Sequence, residues 1–399
     1  MWEIVGIVLA FALIFALRFR GVDFSVGIFA ASAVILLTSG KPLGVFWDVL
    51  VLTVRDYSNW ELCAAVALIT VLSYALKETN MMVELIEKLR GFIPSRVLLA
   101  LVPALFGILS MPGGALMSCP FNDPEADWLN LKPEQKTFVN VWFRHVWFWA
   151  SPISPSTVLA VALAGFSLTE FIVGNFYLFA ICWALGFVWS WKFTSGGGGE
   201  KPEKKEYGAA ARLVSPIAVT VALSIIGIPI WLALLVGIGM VVVLAKVRPA
   251  VAWVYFKMGV KWDIVAAVFS TFFFRYALLT SGSATSLFNN IRGSGVSLLV
   301  LLIAIPILMG SISGTATMGI GMIFPLLLPL IPNLDIHSLT IVFAGVVLGY
   351  TISPLHLCLM LTNEYYKSEL PKVYKYLVPP LIVLYVVALA SHFFMGGGL

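Results

Sequence analysis

Charge is what this chain has least of. Asp, Glu, Lys and Arg make up 11% of its 399 residues, against about 25% in an ordinary soluble domain. With 60% hydrophobic residues and a mean hydropathy of +0.98, the composition excludes a soluble fold and indicates an all-α polytopic membrane protein. Cysteine is scarce too. Cys63, Cys119, Cys182 and Cys358 lie in or beside apolar segments without metal-like spacing and read as free thiols. The sequence has no HExxH, GxSxG or P-loop pattern, and no carboxylate pair inside its apolar segments. An enzyme is therefore not expected. The first apolar segment, Ile4–Leu17, follows Glu3 rather than a basic start and lacks a small-residue cleavage site, so it reads as a span rather than a signal peptide.

What is present centres on Gly310–Pro332. The segment Val296–Pro332 holds no charged residue, yet Ser311, Ser313, Gly314, Thr315 and Thr317 cluster in its middle. One continuous helix of that length would run about 55 Å, far beyond a hydrocarbon core of about 30 Å. Two shorter arms fit a re-entrant hairpin turning at Ser311–Thr317. Irregular backbone at that depth survives only where it is buried in protein or lines a wet cavity, which makes the tip a candidate binding site.

A second copy exists. SMPGGALM at Ser110–Met117 aligns with SISGTATM at Ser311–Met318, pairing Ser110 with Ser311, Gly113 with Gly314 and Gly114 with Thr315. Trp60 pairs in order with Trp262, Tyr74-Ala75-Leu76 with Tyr276-Ala277-Leu278, and Ile153-Ser154-Pro155 with Ile352-Ser353-Pro354. This is a whole-chain duplication of the kind found in repeat architectures.

Ten spans are expected, near 3–18, 23–40, 60–77, 137–166, 170–191, 209–226, 229–246, 262–280, 338–361 and 374–395, with hairpins at 95–121 and 295–332. Segments 43–56 and 249–259 read as interfacial helices. The halves are 1–194 and 208–399, joined by a Gly- and Lys-rich linker at 195–207. Five spans per half force opposite orientations and hence an inverted repeat. With both termini outside, 20 of the 25 Lys and Arg fall on the cytoplasmic side, and so does the linker from 192. Lys41, Arg55 and Arg292 fall outside, while Arg144 and Arg275 lie within spans. That asymmetry obeys the positive-inside rule in a cell membrane, so the net charge of +5 reports topology rather than nucleic-acid binding.

Chemistry is expected where spans break. Pro152 and Pro155 should interrupt the fourth span and free the carbonyls of Phe148 and Ser151; Pro354 should free that of Tyr350 in the ninth. Hydroxyls accompany each break: Ser151, Ser154, Ser156 and Thr157 in one half, Thr351 and Ser353 in the other. Half-helix N-termini offer N–H groups to an anion, and free carbonyls and hydroxyls offer neutral oxygens to a cation. Neither tip holds a carboxylate, which suits Na⁺ better than Ca²⁺ or Mg²⁺. Arg144 and Arg275 either face an anionic substrate or pair with backbone carbonyls. His145 and His356 either titrate or pack. Asn122 follows the first tip, and Asp123, Glu125 and Asp127 lie beyond it, lining a wet path or the cytoplasmic mouth.

Paired Ser/Gly/Thr hairpin tips, each followed by a span broken at Ser-Pro, resemble the ion transporter superfamily. That group includes divalent-anion/sodium symporters, the membrane subunits of TRAP transporters, and gluconate and citrate permeases. SMPGGALMSCPF and GSISGTATMGIGMIFP are most similar to its archaeal and bacterial branch known as DUF401. The resemblance covers essentially the whole chain. It implies a scaffold domain, often a dimer interface, and a transport domain that moves the hairpins like an elevator. Carried over by position, it implies ion and substrate shells at Ser110–Gly114, Ser151–Ser156, Ser311–Thr315 and Thr351–Ser353. Dicarboxylate symporters carry Ser-Asn-Thr at the tips. This chain has Ser-Met-Pro-Gly-Gly and Ser-Ile-Ser-Gly-Thr instead, which leaves the carboxylate class and the number of sodium sites open.

The resulting expectation is a secondary active transporter of a small organic anion, coupled to Na⁺ or H⁺, with no cofactor beyond the coupling ion, working as a homodimer in the bilayer. The substrate shell would comprise Ser110, Pro112, Gly113, Gly114, Asn122, Ser154, Arg275, Ser311, Ser313, Gly314, Thr315, Ser353 and His356. The ion shell would draw on Ser110, Gly113, Phe148, Ser151, Ser154, Ser311, Ser313, Thr315, Tyr350, Thr351 and Ser353. An efflux antiporter for a cation or small inorganic anion is the alternative.

Overall fold

The computed structural model describes residues 2–91, 93–108, 114–194, 207–294, 297–331 and 333–394. Among them every regular element is helical. Seven segments are long and apolar enough to cross a bilayer. Five are continuous helices of the first rank: α1 (Trp2–Phe19), α4 (Tyr57–Glu78), α10 (Leu168–Thr194), α11 (Tyr207–Ile225) and α14 (Trp262–Ser281). The others are an interrupted stretch, α18 (Ile336–Ile352) with α19 (Leu357–Tyr366), and the last helix, α20 (Leu370–Phe394). Shorter apolar helices complete the set: α2 (Phe24–Thr38), α6 (Ser95–Ile108), α9 (Pro155–Ala164), α12 (Ile230–Leu244), α16 (Leu298–Ser313) and α17 (Ala316–Leu327).

The remaining helices are α3 (Val45–Arg55), α5 (Met81–Arg90), α7 (Gly114–Trp128), α8 (Pro133–Arg144), α13 (Pro249–Gly259) and α15 (Ser283–Ser294). The second half thus presents the same succession of elements as the first: a long helix, a shorter apolar one, a short one, a long one, a short arm, a helical hairpin, an interrupted helix and a final long helix. Packing is exchanged between the halves. α2 packs on α14 and α12 on α4; α3 packs on α14 and α13 on α4; α7 packs on α19 and α17 on α9. One apolar core runs through both halves, from Ile7 to Ala388.

Four bounds differ from the sequence reading by four residues or more: the ninth span runs on to Tyr366 rather than 361, the tenth starts at Leu370 rather than 374, and two in the first half differ for a shared reason. The fourth span starts at Pro133 rather than 137. Pro sits at the first helical position, where no N–H is needed, and Gln135 Oε1 accepts from the Lys132 N–H at 2.8 Å. The hairpin's return arm runs on to Trp128 rather than 121, through Pro120 and Pro124. Side chains from neighbours hold its backbone: Asn140 donates to the Ala115 carbonyl at 3.0 Å, Tyr366 to Cys119 at 3.2 Å and Arg90 to Phe121 at 2.7 Å. Both segments are polar in sequence because they face protein rather than lipid. Gln135, Thr137 and Asn140 are all buried.

Candidate binding cavity at the broken helices

The second hairpin turns where expected. α16 ends at Ser313, Gly314 takes φ +74°, and Thr315 is extended before α17 begins. A positive φ is cheap only for glycine. Thr315 caps α17 by accepting from the Met318 N–H at 3.2 Å. Ser313 Oγ lies 3.1 Å from the Gly310 carbonyl and 2.9 Å from the Thr315 carbonyl, closing the turn on itself. Ser311 Oγ donates back to Ile307 at 2.8 Å. Of the first tip, Ser110, Pro112 and Gly113 lie outside the described residues. Gly114 opens α7 against Arg144: a Cβ there would fall 2.6 Å from Arg144 Nη2.

Both interrupted helices break at their prolines. α8 stops at Arg144, His145 caps it, a short 3₁₀ turn covers Val146–Trp149, and Ser154 then caps α9 with Pro155 at the first position. α18 stops at Ile352, Ser353 is extended, and His356 caps α19. Of the three carbonyls expected to be freed, those of Phe148 and Tyr350 are not bare. Thr157 donates to Phe148 at 3.3 Å and the Ser353 N–H to Tyr350 at 3.1 Å; each carbonyl keeps a second lone pair. Ser151 Oγ accepts from the Ile153 N–H at 3.3 Å, Ser154 and Ser156 pair at 2.8 Å, and Thr351 donates to Val347 at 2.7 Å. Ser353 ties break to tip: its hydroxyl donates to the Ser311 carbonyl and accepts from the Leu355 N–H.

These pieces enclose a cavity of about 400 Å³. Gly314–Met318 of the second tip, Phe148 and Ser154–Ser156 of the first break, Tyr350, Leu357 and Cys358 of the second, and Arg144 and His145 all line it. Arg18, Asp23 and Asp263 line it from the α1–α2–α14 side. The N-terminal turns of α9, α17 and α19 therefore border one space, and each adds the positive end of a helix dipole to the charge of Arg144. Positive potential is thus concentrated at the broken helices, while Asp23 and Asp263 bring negative charge from the α1–α2–α14 side. Aromatic rings close one wall: the His145 ring lies 5.5 Å from Phe148 and 4.7 Å from His356, and Tyr350 lies 4.1 Å from His356, centroid to centroid.

Several expected residues do not join this cavity: Gly114, Ser151, Ser311, Ser313, Thr351 and Ser353 are not among the residues that line it. Arg275 is not among its lining residues. α14 reaches the cavity through Asp263, Ile264 and Ala267, and residue 275 lies eight positions beyond Ala267, about 12 Å further along the axis. Asn122 is buried on α7 away from the cavity. The acidic residues after the first tip are tied to bases: Glu125 Oε1 to Arg90 at 3.1 Å, and Asp127 and Asp123 to Lys136. His356 is fully buried directly behind the lining rather than in it. Sequence reasoning missed Cys358, whose signal was its place two residues after His356 in the broken span.

The cavity lies within a fold that is known elsewhere. The chain is similar to the YdaH transporter of Alcanivorax borkumensis, whose crystal structure is described as revealing an unusual topology. The match has a TM-score of 0.60 and 14% identity, and covers 83% of this chain and 85% of that one. Identity this low speaks for the fold alone. No curated protein matches the chain. With seven segments among the described residues long and apolar enough to cross a bilayer, the molecule is a multi-pass membrane protein with a transporter-like fold. A family model described as "Protein of unknown function (DUF401)" matches residues 4–393, and the chain belongs to that family.

Proposed function

We propose that the protein is a secondary active transporter that moves a small organic anion, a carboxylate, across the cell membrane in company with Na⁺ or H⁺. The observation that carries this reading is the convergence of three helix N-termini and Arg144 on one cavity. Preorganised N–H groups and a guanidinium bind carboxylates, and the latter can do so through two parallel bonds. The hydroxyls and carbonyls of the second tip and break, those of Ser311, Ser353 and Tyr350 above all, supply neutral oxygens for a monovalent cation, with Tyr350 itself lining the cavity.

The exchanged packing of the two halves supports an inverted repeat in which both halves contribute to one site. Contacts at helix ends agree with the charge-derived topology. Lys41 meets the Thr280 carbonyl and Thr169 the Ile225 carbonyl on the outer side, while Arg212 meets Leu244 on the inner side. Under that topology Arg18, Asp23 and Asp263 sit at cytoplasmic ends, so the cavity opens inward. Alternating access then carries the hairpins and broken helices past the α1–α2 and α11–α12 scaffold as an elevator, with a second copy of the chain as partner.

Reconstituted proteoliposomes test the proposal directly. Labelled mono-, di- and tricarboxylates are offered under an inward Na⁺ gradient or a pH gradient applied separately. At least one acid should accumulate under one gradient and stop when that gradient is collapsed. Flux of every acid that ignores both gradients would replace the reading with a passive pathway. Stimulation only by an outward substrate gradient would replace it with an efflux antiporter.

A further inference from the structure

We infer that His145, His356 and Cys358 form a binding site for a transition-metal cation of the zinc class, distinct from the oxygen-lined site for the coupling ion. The ligand-capable atoms of these three side chains all lie within 4.8 Å of one another. Zn–N and Zn–S bonds of about 2.0–2.3 Å place the two nitrogens and one sulfur of such a tetrahedral site about 3.3–3.6 Å apart. The cluster closes on an ion with side-chain shifts of about an ångström.

The tautomers are already set for ligation. His145 Nδ1 lies 2.6 Å from the Val141 carbonyl and His356 Nδ1 lies 3.2 Å from the Thr351 carbonyl. A carbonyl only accepts, so each Nδ1 carries the proton and each Nε2 presents its lone pair. Backbone carbonyls commonly hold metal-binding imidazoles in this way. His356 Nε2 is buried and has no hydrogen-bond partner among the described residues, although the side chain is fully enclosed. A buried acceptor left unmatched costs about 1–3 kcal/mol, and an ion removes that cost. The site is also reachable, since His145 and Cys358 line the cavity.

The donor set selects the ion class. Two imidazoles and a thiolate favour Zn²⁺ and Co²⁺ over Na⁺, Mg²⁺ and Ca²⁺, which take oxygen. Arg144 stands beside Cys358. Three protein ligands leave a fourth position facing the cavity, the open arrangement of zinc sites that exchange a ligand. Bound metal would bridge the end of α8 to the start of α19, fastening the two broken helices to each other.

The test uses the purified full chain in detergent, reduced and free of metal, titrated with Co²⁺. A single equivalent should give a near-ultraviolet thiolate-to-cobalt band and intense visible bands of a tetrahedral ion, both abolished by Zn²⁺. Cys358→Ser, which keeps Cys63, Cys119 and Cys182, should lose the charge-transfer band. His356→Gln should weaken binding at least about tenfold. X-ray absorption of the zinc-loaded wild type needs no variant and should report sulfur near 2.3 Å with nitrogen near 2.0 Å. A sulfur-free shell, or an unchanged titration in Cys358→Ser, would overturn the site. These readouts involve no transport, so their failure leaves the carboxylate proposal intact, and failed uptake leaves the metal site intact.

Discussion

The two broken helices are built alike and equipped differently. Each unwinds at a Ser-Pro element and restarts with its N-terminal turn on the cavity. The first gap is long, from Arg144 to Pro155 with a 3₁₀ turn inside it, while the second spans only Ser353–His356. Aligning Ile153-Ser154-Pro155 with Ile352-Ser353-Pro354 puts Arg144 and His145 opposite Phe343 and Ala344, and His356 and Cys358 opposite Thr157 and Leu159. The duplicated part is backbone geometry. The charged, basic and sulfur-bearing groups are unique to one half or the other, and they meet only because the halves interlock. A repeated scaffold thus carries an asymmetric site, as the proposed recognition of an asymmetric anion would require.

The sharpest way to break this comparison is at its largest asymmetry. Arg144 is 5% exposed, and its guanidinium touches the first tip and borders the cavity. If it anchors a carboxylate, Arg144→Gln should cost about 2–3 kcal/mol of substrate binding, near 100-fold in uptake efficiency. Arg144→Lys keeps the charge but loses the fork and should recover part of that loss. Uptake kinetics with a matched thermal melt separate this from unfolding. An efficiency unchanged in Arg144→Gln would remove the anion anchor.

Where the halves do correspond, they should still differ in degree. Ser353 holds the Ser311 carbonyl at the second tip, whereas the first-half counterpart Ser154 bonds to its neighbour Ser156. Ser353→Ala should raise the half-saturating concentration of the coupling ion about tenfold, the equivalent of one lost hydrogen bond near 1.4 kcal/mol. Ser154→Ala should change it about twofold, because Ser156 stays to replace the hydroxyl. Equal effects from the two variants would mean that ion binding is shared evenly between the breaks.

Much of this architecture was legible in the sequence because a bilayer punishes ambiguity. Hydroxyls and glycine amid an uncharged apolar run, as at Ser311–Thr317, leave few structures other than a turn buried in protein. The Trp-bearing segments 43–56 and 249–259 likewise match α3 and α13 closely. Hydropathy failed where protein replaces lipid as the surrounding medium. Gln135, buried, accepts from the Lys132 N–H at 2.8 Å; such a residue reads as surface and pulled the start of the fourth span inward. Side-chain direction was beyond reach as well. Arg275 and Arg144 look equivalent as lone cations in apolar spans, yet only Arg144 lines the cavity. The meeting of His145 with Cys358 depends on packing between elements more than 200 positions apart, which no local spacing encodes.

A smaller effect probes the boundary between site and support. Glu125 is buried and paired with Arg90 at 3.1 Å, fastening the arm α5 to the return arm of the first hairpin. Arg90→Ala leaves that carboxylate without its base and should destabilise the fold by about 2 kcal/mol, read as a lowered melting temperature, while the half-saturating substrate concentration stays put. The smallest effect belongs to Asn122. It lies one turn from Glu125 on the same helix, and its Oδ1 has no hydrogen-bond partner among the described residues. Its position after the tip suggests substrate contact, but the cavity does not include it. Asn122→Ala should therefore leave uptake within about twofold of wild type, because replacing an unmatched buried polar group by an apolar one is close to neutral. A tenfold loss of substrate affinity there would mean that the first hairpin delivers its return arm to the substrate in a state other than this one, and the division between a working second tip and a supporting first arm would fall.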